Sequence, residues 1–189
     1  MRGALSGLLA LAALAGALGC EARPEVRPGG QAPAKAPSAA SAKGTRPLQD
    51  DASAAIAQVA RIDELLARVR DLRVPDDEAE ESLEEAARAG AGRRERALAA
   101  ITRGEALLSK GERERAQAFF EWARAHDERQ TRASFALARM AAERGDGGEA
   151  AALLREVKAR GGVRLLLTVR EDPAFARVLE DPAVAALSP

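Results

Sequence analysis

The chain has 189 residues, and its 29 basic and 29 acidic side chains give a formal net charge of zero. Because nucleic-acid binding rests on an excess of Lys and Arg against the phosphates, this balance argues against a nucleic-acid partner. The single cysteine excludes an intramolecular disulfide, and the abundance of Ala, Leu, Arg and Glu predicts an all-α fold.

The first twenty residues have the layout of an export signal. Arg2 precedes an Ala- and Leu-rich run that ends at Gly19 and is shorter than the roughly 18 residues a membrane-spanning helix needs. Cys20 follows directly, which resembles the lipobox of bacterial lipoproteins, although Ala17 stands where that family usually has Leu, Val or Ile. The resemblance implies a signal peptide over residues 1–19 and lipidation of Cys20. Ordinary secretory cleavage, leaving a free thiol, is the alternative.

Residues 20–50 contain five of the nine prolines, together with Ala, Gly, Ser and Lys, and show no apolar periodicity. A segment of this composition cannot bury enough apolar surface to offset its chain entropy. We therefore predict a disordered tether that gives the following domain reach of about 30 Å from its anchor.

Helical spacing begins after this segment. A stripe of apolar residues predicts an amphipathic helix that Pro75 ends, and the acidic residues after the proline suit the start of a second helix, where the helix dipole favours negative charge. Gly90 and Gly92 end that second helix. Residues 51–96 are thus predicted to form an N-terminal helix pair, whose first helix carries the stripe Ile56, Val59, Ile62, Leu66, Val69 and Leu72.

Beyond this pair the sequence repeats at a spacing of 34 residues, over residues 97–130 and 131–164. Gly111 aligns with Gly145, Ala116 with Ala150 and Phe120 with Leu154. Thirty-four residues is the period of tetratricopeptide repeats. Small residues let two helices approach closely, the large apolar residue fills the space between them, and the glycine permits the turn.

The two segments resemble the tetratricopeptide repeat family, and residues 51–96 resemble a degenerate third unit. Several family positions differ, among them Arg103, where leucine is usual, and Ala100 and Ser134 in the place of tryptophan. The resemblance implies a short right-handed α-solenoid of antiparallel helix pairs. The residues that would pack the repeats are Gly104, Leu107, Gly111, Ala116, Phe120, Ala123, Leu137, Ala138, Gly145, Ala150 and Leu154.

Residues 165–189 are predicted to form capping helices. Asp172-Pro173 recurs nine residues later as Asp181-Pro182, and each pair is typical of a helix N-cap followed by proline at the first helical position. Short Asp-Pro helices of this kind would cover the open end of the last repeat.

The resemblance also implies a groove that binds a peptide or a partner helix, lined by the first helix of each repeat. The face left over after the packing positions mixes apolar side chains with two arginines that would hold a carboxylate or an acidic segment. Its residues are Leu98, Ile101, Glu105 and Leu108 in one repeat, and Arg132, Phe135, Arg139 and Ala142 in the next.

The sequence offers little for catalysis. His126 is the only histidine, and no histidine pair, cysteine cluster or glycine-rich phosphate loop accompanies it. We therefore expect no enzymatic activity, no cofactor, no metal and no small-molecule substrate.

These features together predict an exported, lipid-anchored adaptor or scaffold. It would face the periplasm and would hold a protein or peptide partner during assembly of an envelope machine. The resemblance to other lipoproteins, which are sorted by the residue after the cysteine, implies the outer membrane, because Glu21 and not Asp follows Cys20. Two alternatives remain open: a structural envelope lipoprotein that acts by self-association, and a regulatory subunit of a cell-wall enzyme.

Overall fold

A computed structural model describes residues 46–188, and all regular secondary structure in that part of the chain is helical, which confirms the predicted all-α class. The predicted signal peptide, Cys20 and most of the predicted tether lie outside the described residues. The elements are α1 (Arg46–Arg70), α2 (Asp76–Arg88), α3 (Arg93–Ser109), α4 (Arg113–His126), α5 (Thr131–Arg144), α6 (Gly147–Ala159), α7 (Val163–Leu166), a 3₁₀ turn (Pro173–Phe175) and α8 (Pro182–Ala185).

Helix α1 begins inside the stretch that was predicted to be tether. Its second residue is Pro47, and proline is tolerated in the first turn of a helix, where its missing N–H would be unpaired in any case. The tether prediction was therefore wrong for residues 46–50. The helix also ends before Pro75, at Arg70, and Pro75 instead occupies the N-cap position of α2.

The amino-terminal part of α1 lies outside the core of the domain. Every residue from Asp51 to Arg61 is exposed, and the first buried residue is Leu65. Ile56 and Val59, which continue the predicted apolar stripe, are 71% and 59% exposed. Only the carboxyl-terminal part of the stripe, at Leu66 and Val69, reaches the core.

Consecutive helices pack as pairs, α1 with α2, α3 with α4 and α5 with α6, and further contacts of α3 with α1 and of α4 with α5 join the pairs. Short turns connect the partners within each pair. Gly111 lies in the turn between α3 and α4, and Gly145 lies 34 residues later in the turn between α5 and α6. They adopt positive φ angles of 81° and 83°. Only glycine takes up this left-handed conformation without steric cost.

The core between α3 and α4 is built around Phe120, which is fully buried. Its ring lies on Gly104 so closely that a Cβ atom at residue 104 would be 2.7 Å from its Cε1 atom. Leu154 occupies the matching position in α6 and is also fully buried. The remaining predicted packing residues are buried as well, apart from the two turn glycines: Leu107, Ala116, Ala123, Leu137, Ala138 and Ala150.

The chain beyond α6 forms short turns of helix that cover the last pair. Asp172 accepts a hydrogen bond from the backbone N–H of Ala174 (3.0 Å), and Asp181 accepts one from Ala183 (2.8 Å). In both places proline follows the aspartate at the start of the helical turn, which confirms the predicted Asp-Pro caps. Phe175 and Val184, which belong to these turns, are fully buried.

Among residues 46–188, no helix combines the length and the apolar character that crossing a membrane requires.

Candidate functional site

Six of the eight residues predicted to line the groove lie in two depressions along one face of α3. We call them the α1/α3 depression, of about 270 Å³, and the α3/α5 depression, of about 180 Å³. Leu98 lies in the first. The second brings together five of the predicted residues from two helices: Glu105, Leu108, Arg132, Phe135 and Arg139.

The α3/α5 depression has apolar walls. Phe120 of α4, Ala136 of α5 and Leu165 close to the end of α7 complete the lining. The ring of Phe135 is partly buried and packs at a tilt against Phe175, with ring centroids 5.7 Å apart. The predicted groove residue Phe135 is thus supported from behind by the carboxyl-terminal cap.

The charged residues of this depression already have partners within the chain. The guanidinium of Arg132 lies 2.7 Å from a carboxylate oxygen of Glu105. Nε of Arg139 lies 2.8 Å from Oδ2 of Asp172, although the angle is not that of a hydrogen bond, so the contact is an ion pair. The two arginines that were expected to hold a carboxylate of a partner therefore hold carboxylates of their own chain.

The α1/α3 depression is also apolar at its base but has a different charge pattern. Val59, Ile62 and Leu66 of α1 face Leu98 of α3 across it. Its charged lining residues are Asp63, Arg70 and Glu95. None of the three forms an ion pair with another described residue.

Two residues predicted on the groove face are buried instead. Ile101 is 1% exposed and Ala142 is fully buried, so neither offers surface to a partner. The reason lies in how α3 and α5 pack. Each of these helices contacts several other elements, so less of its surface is exposed than the spacing of residues in the sequence predicted.

The most heavily hydrogen-bonded side chain of the domain was not predicted to have a role. Arg103 is fully buried and donates to the backbone carbonyls of Val69 (3.1 Å), Asp71 (2.9 Å) and Val74 (2.6 Å), in and beside the turn between α1 and α2. It also donates to Asp76, at 2.5 Å from Nη2. The guanidinium lies 4.9 Å from the centre of the Phe119 ring, which provides an apolar wall.

Asp76 connects this cluster to α4. Hydrogen bonds from Arg115 and then from Arg103 lower the pKa of its carboxyl group to about 2. We refer to Arg103, Asp76 and Arg115 as the arginine clamp. The sequence contained a signal for this clamp, because Arg103 stands where the tetratricopeptide family usually has leucine. A buried arginine needs an acidic partner, and the acidic residues at the start of α2 could supply one.

A larger depression, of about 750 Å³, lies at the turn between α4 and α5. It is lined by polar and charged side chains of both signs, including Arg93, Arg94 and Glu128, and lacks the apolar wall that peptide binding needs. His126 stands at its edge, stacked on Trp122 at 3.8 Å and hydrogen-bonded through Nδ1 to the Trp122 carbonyl oxygen (2.8 Å). The described residues contain no group of three His, Cys, Asp or Glu side chains placed to hold a metal ion.

Fold and site together define an all-helical protein with an apolar face along α3. No protein-family model, curated protein or solved structure matches this chain.

Proposed function

We propose that this protein is a membrane-anchored adaptor of the tetratricopeptide type, exported to the bacterial envelope, that binds a protein or peptide partner along the α3 face. The observation that carries the proposal is the α3/α5 depression, where residues chosen only from the 34-residue register meet around one apolar hollow. A hollow with apolar walls and a few polar groups at its rim is the usual form of a binding site.

The matching turn glycines and the equivalent burial of Phe120 and Leu154 support a repeat architecture. In such an architecture each helix pair covers the apolar face of its neighbour, and the short Asp-Pro turns cover the last one. The signal-like amino terminus and Cys20 support the anchor. The partner would be one component of an envelope assembly.

The test is crosslinking of the tagged, full-length protein in its native envelope, followed by identification of what purifies with it. Leu108→Glu places a charge in the α3/α5 depression at a half-buried position and is expected to remove the partner. Ala118→Glu makes the same kind of change on the exposed side of α4 and is expected to leave the partner in place. Melting curves of both variants show whether the fold is retained.

Arg139→Glu is a poor variant for this purpose, because a glutamate there would face Asp172 and disturb the cap. A partner that is captured equally from both of the chosen variants would contradict the proposed groove.

The exposed Ile56 and Val59 favour a second candidate function, a structural protein that acts by self-association. Sedimentation of the full-length chain in detergent over a range of concentrations separates the two. Growth in size with concentration, together with crosslinks only between copies of the chain, would support the structural role.

A further inference from the structure

The charge that is left unmatched in the groove is mainly acidic. In the α3/α5 depression, Glu105 neutralises Arg132 and Asp172 neutralises Arg139. An acidic partner would have to displace a carboxylate of this chain from each arginine. The depression therefore offers a partner an apolar contact and no free positive charge.

The α1/α3 depression differs because its carboxylates are free of ion pairs. Asp63 is exposed and has no basic neighbour within ion-pair distance among the described residues. Glu95 uses one carboxylate oxygen to accept the backbone N–H of Gly92 (3.0 Å), which leaves the other oxygen available. Arg70 also lines the depression, so two carboxylates stand against one guanidinium.

The backbone of the groove walls favours a helical occupant. All three walls, α1, α3 and α5, are helices whose N–H and C=O groups bond within the helix, so they offer no edge to which an extended peptide could add. A helix satisfies its own backbone groups and needs only side-chain contacts. Leu98 and Leu108, one in each depression, are ten residues apart in sequence and so lie about 15 Å apart along the axis of α3. Because neighbouring helices pack about 8 to 10 Å apart, the two depressions are roughly 17 Å apart, which is close to the rise of about 16 Å between residues i and i+11 of a bound helix.

We propose that the partner segment is a basic amphipathic helix. Its apolar side chains, about three turns apart, enter the α1/α3 and α3/α5 depressions, and a Lys or Arg beside the first of them meets Asp63 and Glu95. This inference rests on the proposed function and gives the partner the charge sign opposite to the one that the groove arginines suggested.

The experiment uses the full-length chain in detergent solution and two synthetic helical peptides. Both carry leucines at positions i, i+4, i+7 and i+11 in an Ala- and Gln-rich background. One has a lysine beside the first leucine, and the other has a glutamate at that position. Fluorescence anisotropy gives the Kd of each peptide at low salt.

The lysine peptide is expected to bind about fivefold to tenfold more tightly than the glutamate peptide, with a difference that shrinks as salt is raised. The double variant Asp63→Asn, Glu95→Gln removes this preference. It leaves the start of α3 capped, because Gln at the third helical position accepts the same backbone hydrogen bond. The control Glu80→Gln, Glu81→Gln removes two exposed charges from α2, outside both depressions, and should keep the preference.

Three results would overturn the inference. If both peptides bind equally, or the glutamate peptide binds better, the proposed basic charge of the partner is wrong, but the proposal that the α3 face binds a helix is retained. If neither peptide binds but Leu108→Glu still removes a partner in the envelope, the helical class of the partner is wrong. If neither peptide binds and Leu108→Glu changes nothing, the proposed function fails as well.

Discussion

Arg103 illustrates how one residue can replace an apolar contact with a set of hydrogen bonds. Burying a guanidinium is costly unless its donors are satisfied, and here backbone carbonyls and Asp76 receive them. The carbonyls belong to residues at and after the end of α1, where helical partners are missing. The side chain thus satisfies the carbonyls of Val69 and Val74, which have no other backbone donor among the described residues, while the Asp71 carbonyl also accepts from the N–H of Val74 (3.1 Å).

Replacing Arg103 by leucine should destabilise the domain by about 3 to 5 kcal/mol, because the carbonyls of Val69 and Val74 lose their donor and Asp76 keeps only Arg115. The control is Arg73→Leu. Arg73 is paired with Asp71 at the exposed surface, with 91% of its side chain accessible, so a much smaller change is expected. Urea melts of the two variants measure the difference, and similar losses in both would refute the importance of the clamp.

The clamp also predicts a dependence of stability on pH. The carboxyl group of Asp76 has an ordinary pKa of 3.8, and the folded state lowers this pKa to about 2. Its contribution, on the order of 2 kcal/mol, is complete above about pH 4 and is lost as the pH falls towards 2. The difference in unfolding free energy between the wild type and Asp76→Asn should therefore shrink between pH 5 and pH 2. A constant difference across this range would show that the carboxylate does not carry the effect.

At the scale of elements, the α3 and α4 pair depends on the close approach of Gly104 and Phe120. Gly104→Ala is expected to cost about 1 to 3 kcal/mol, since the added methyl group would lie 2.7 Å from the ring and force it aside. Gly148→Ala in α6 is the matched control. Its nearest neighbour would be 3.6 Å away, so the helix propensity of alanine should make the change neutral or stabilising by up to about 1 kcal/mol. Thermal melts of both proteins check the contrast, and a loss of stability at both positions would mean that glycine itself matters more than the contact.

The sequence predicted these elements well where the spacing of small and large residues decides the packing. The 34-residue period identified Phe120 and its partners, and the Asp-Pro pairs identified the cap. The same reasoning failed at Ile101, because periodicity gives a helix face but not how far its neighbours cover it. It also did not predict that Arg132 and Arg139 form ion pairs within the chain. Their partners, Glu105 and Asp172, belong to other parts of the sequence and are brought close only by the fold.

At the scale of the whole molecule, the proposed function combines a lipid anchor with a binding face. Cys20→Ser should move the protein from the membrane fraction to the soluble fraction, because the lipid on this cysteine is the proposed attachment to the membrane. Fractionation of cells with a salt wash measures this, and Ser38→Ala serves as a control that leaves the cysteine in place. Retention of Cys20→Ser on washed membranes would contradict the lipid anchor.

The exposed start of α1 has a mechanical consequence. Everything before Arg46 joins the described domain through this helix, so a pull from that side acts along the axis of α1. The first bonds to carry the load would be those of Gln58 with the carbonyl of Ala89 and of Arg61 with Glu85, and the arginine clamp holds the far end of the helix. Because α1 packs along α2, such a pull loads these bonds together in shear instead of opening them one after another.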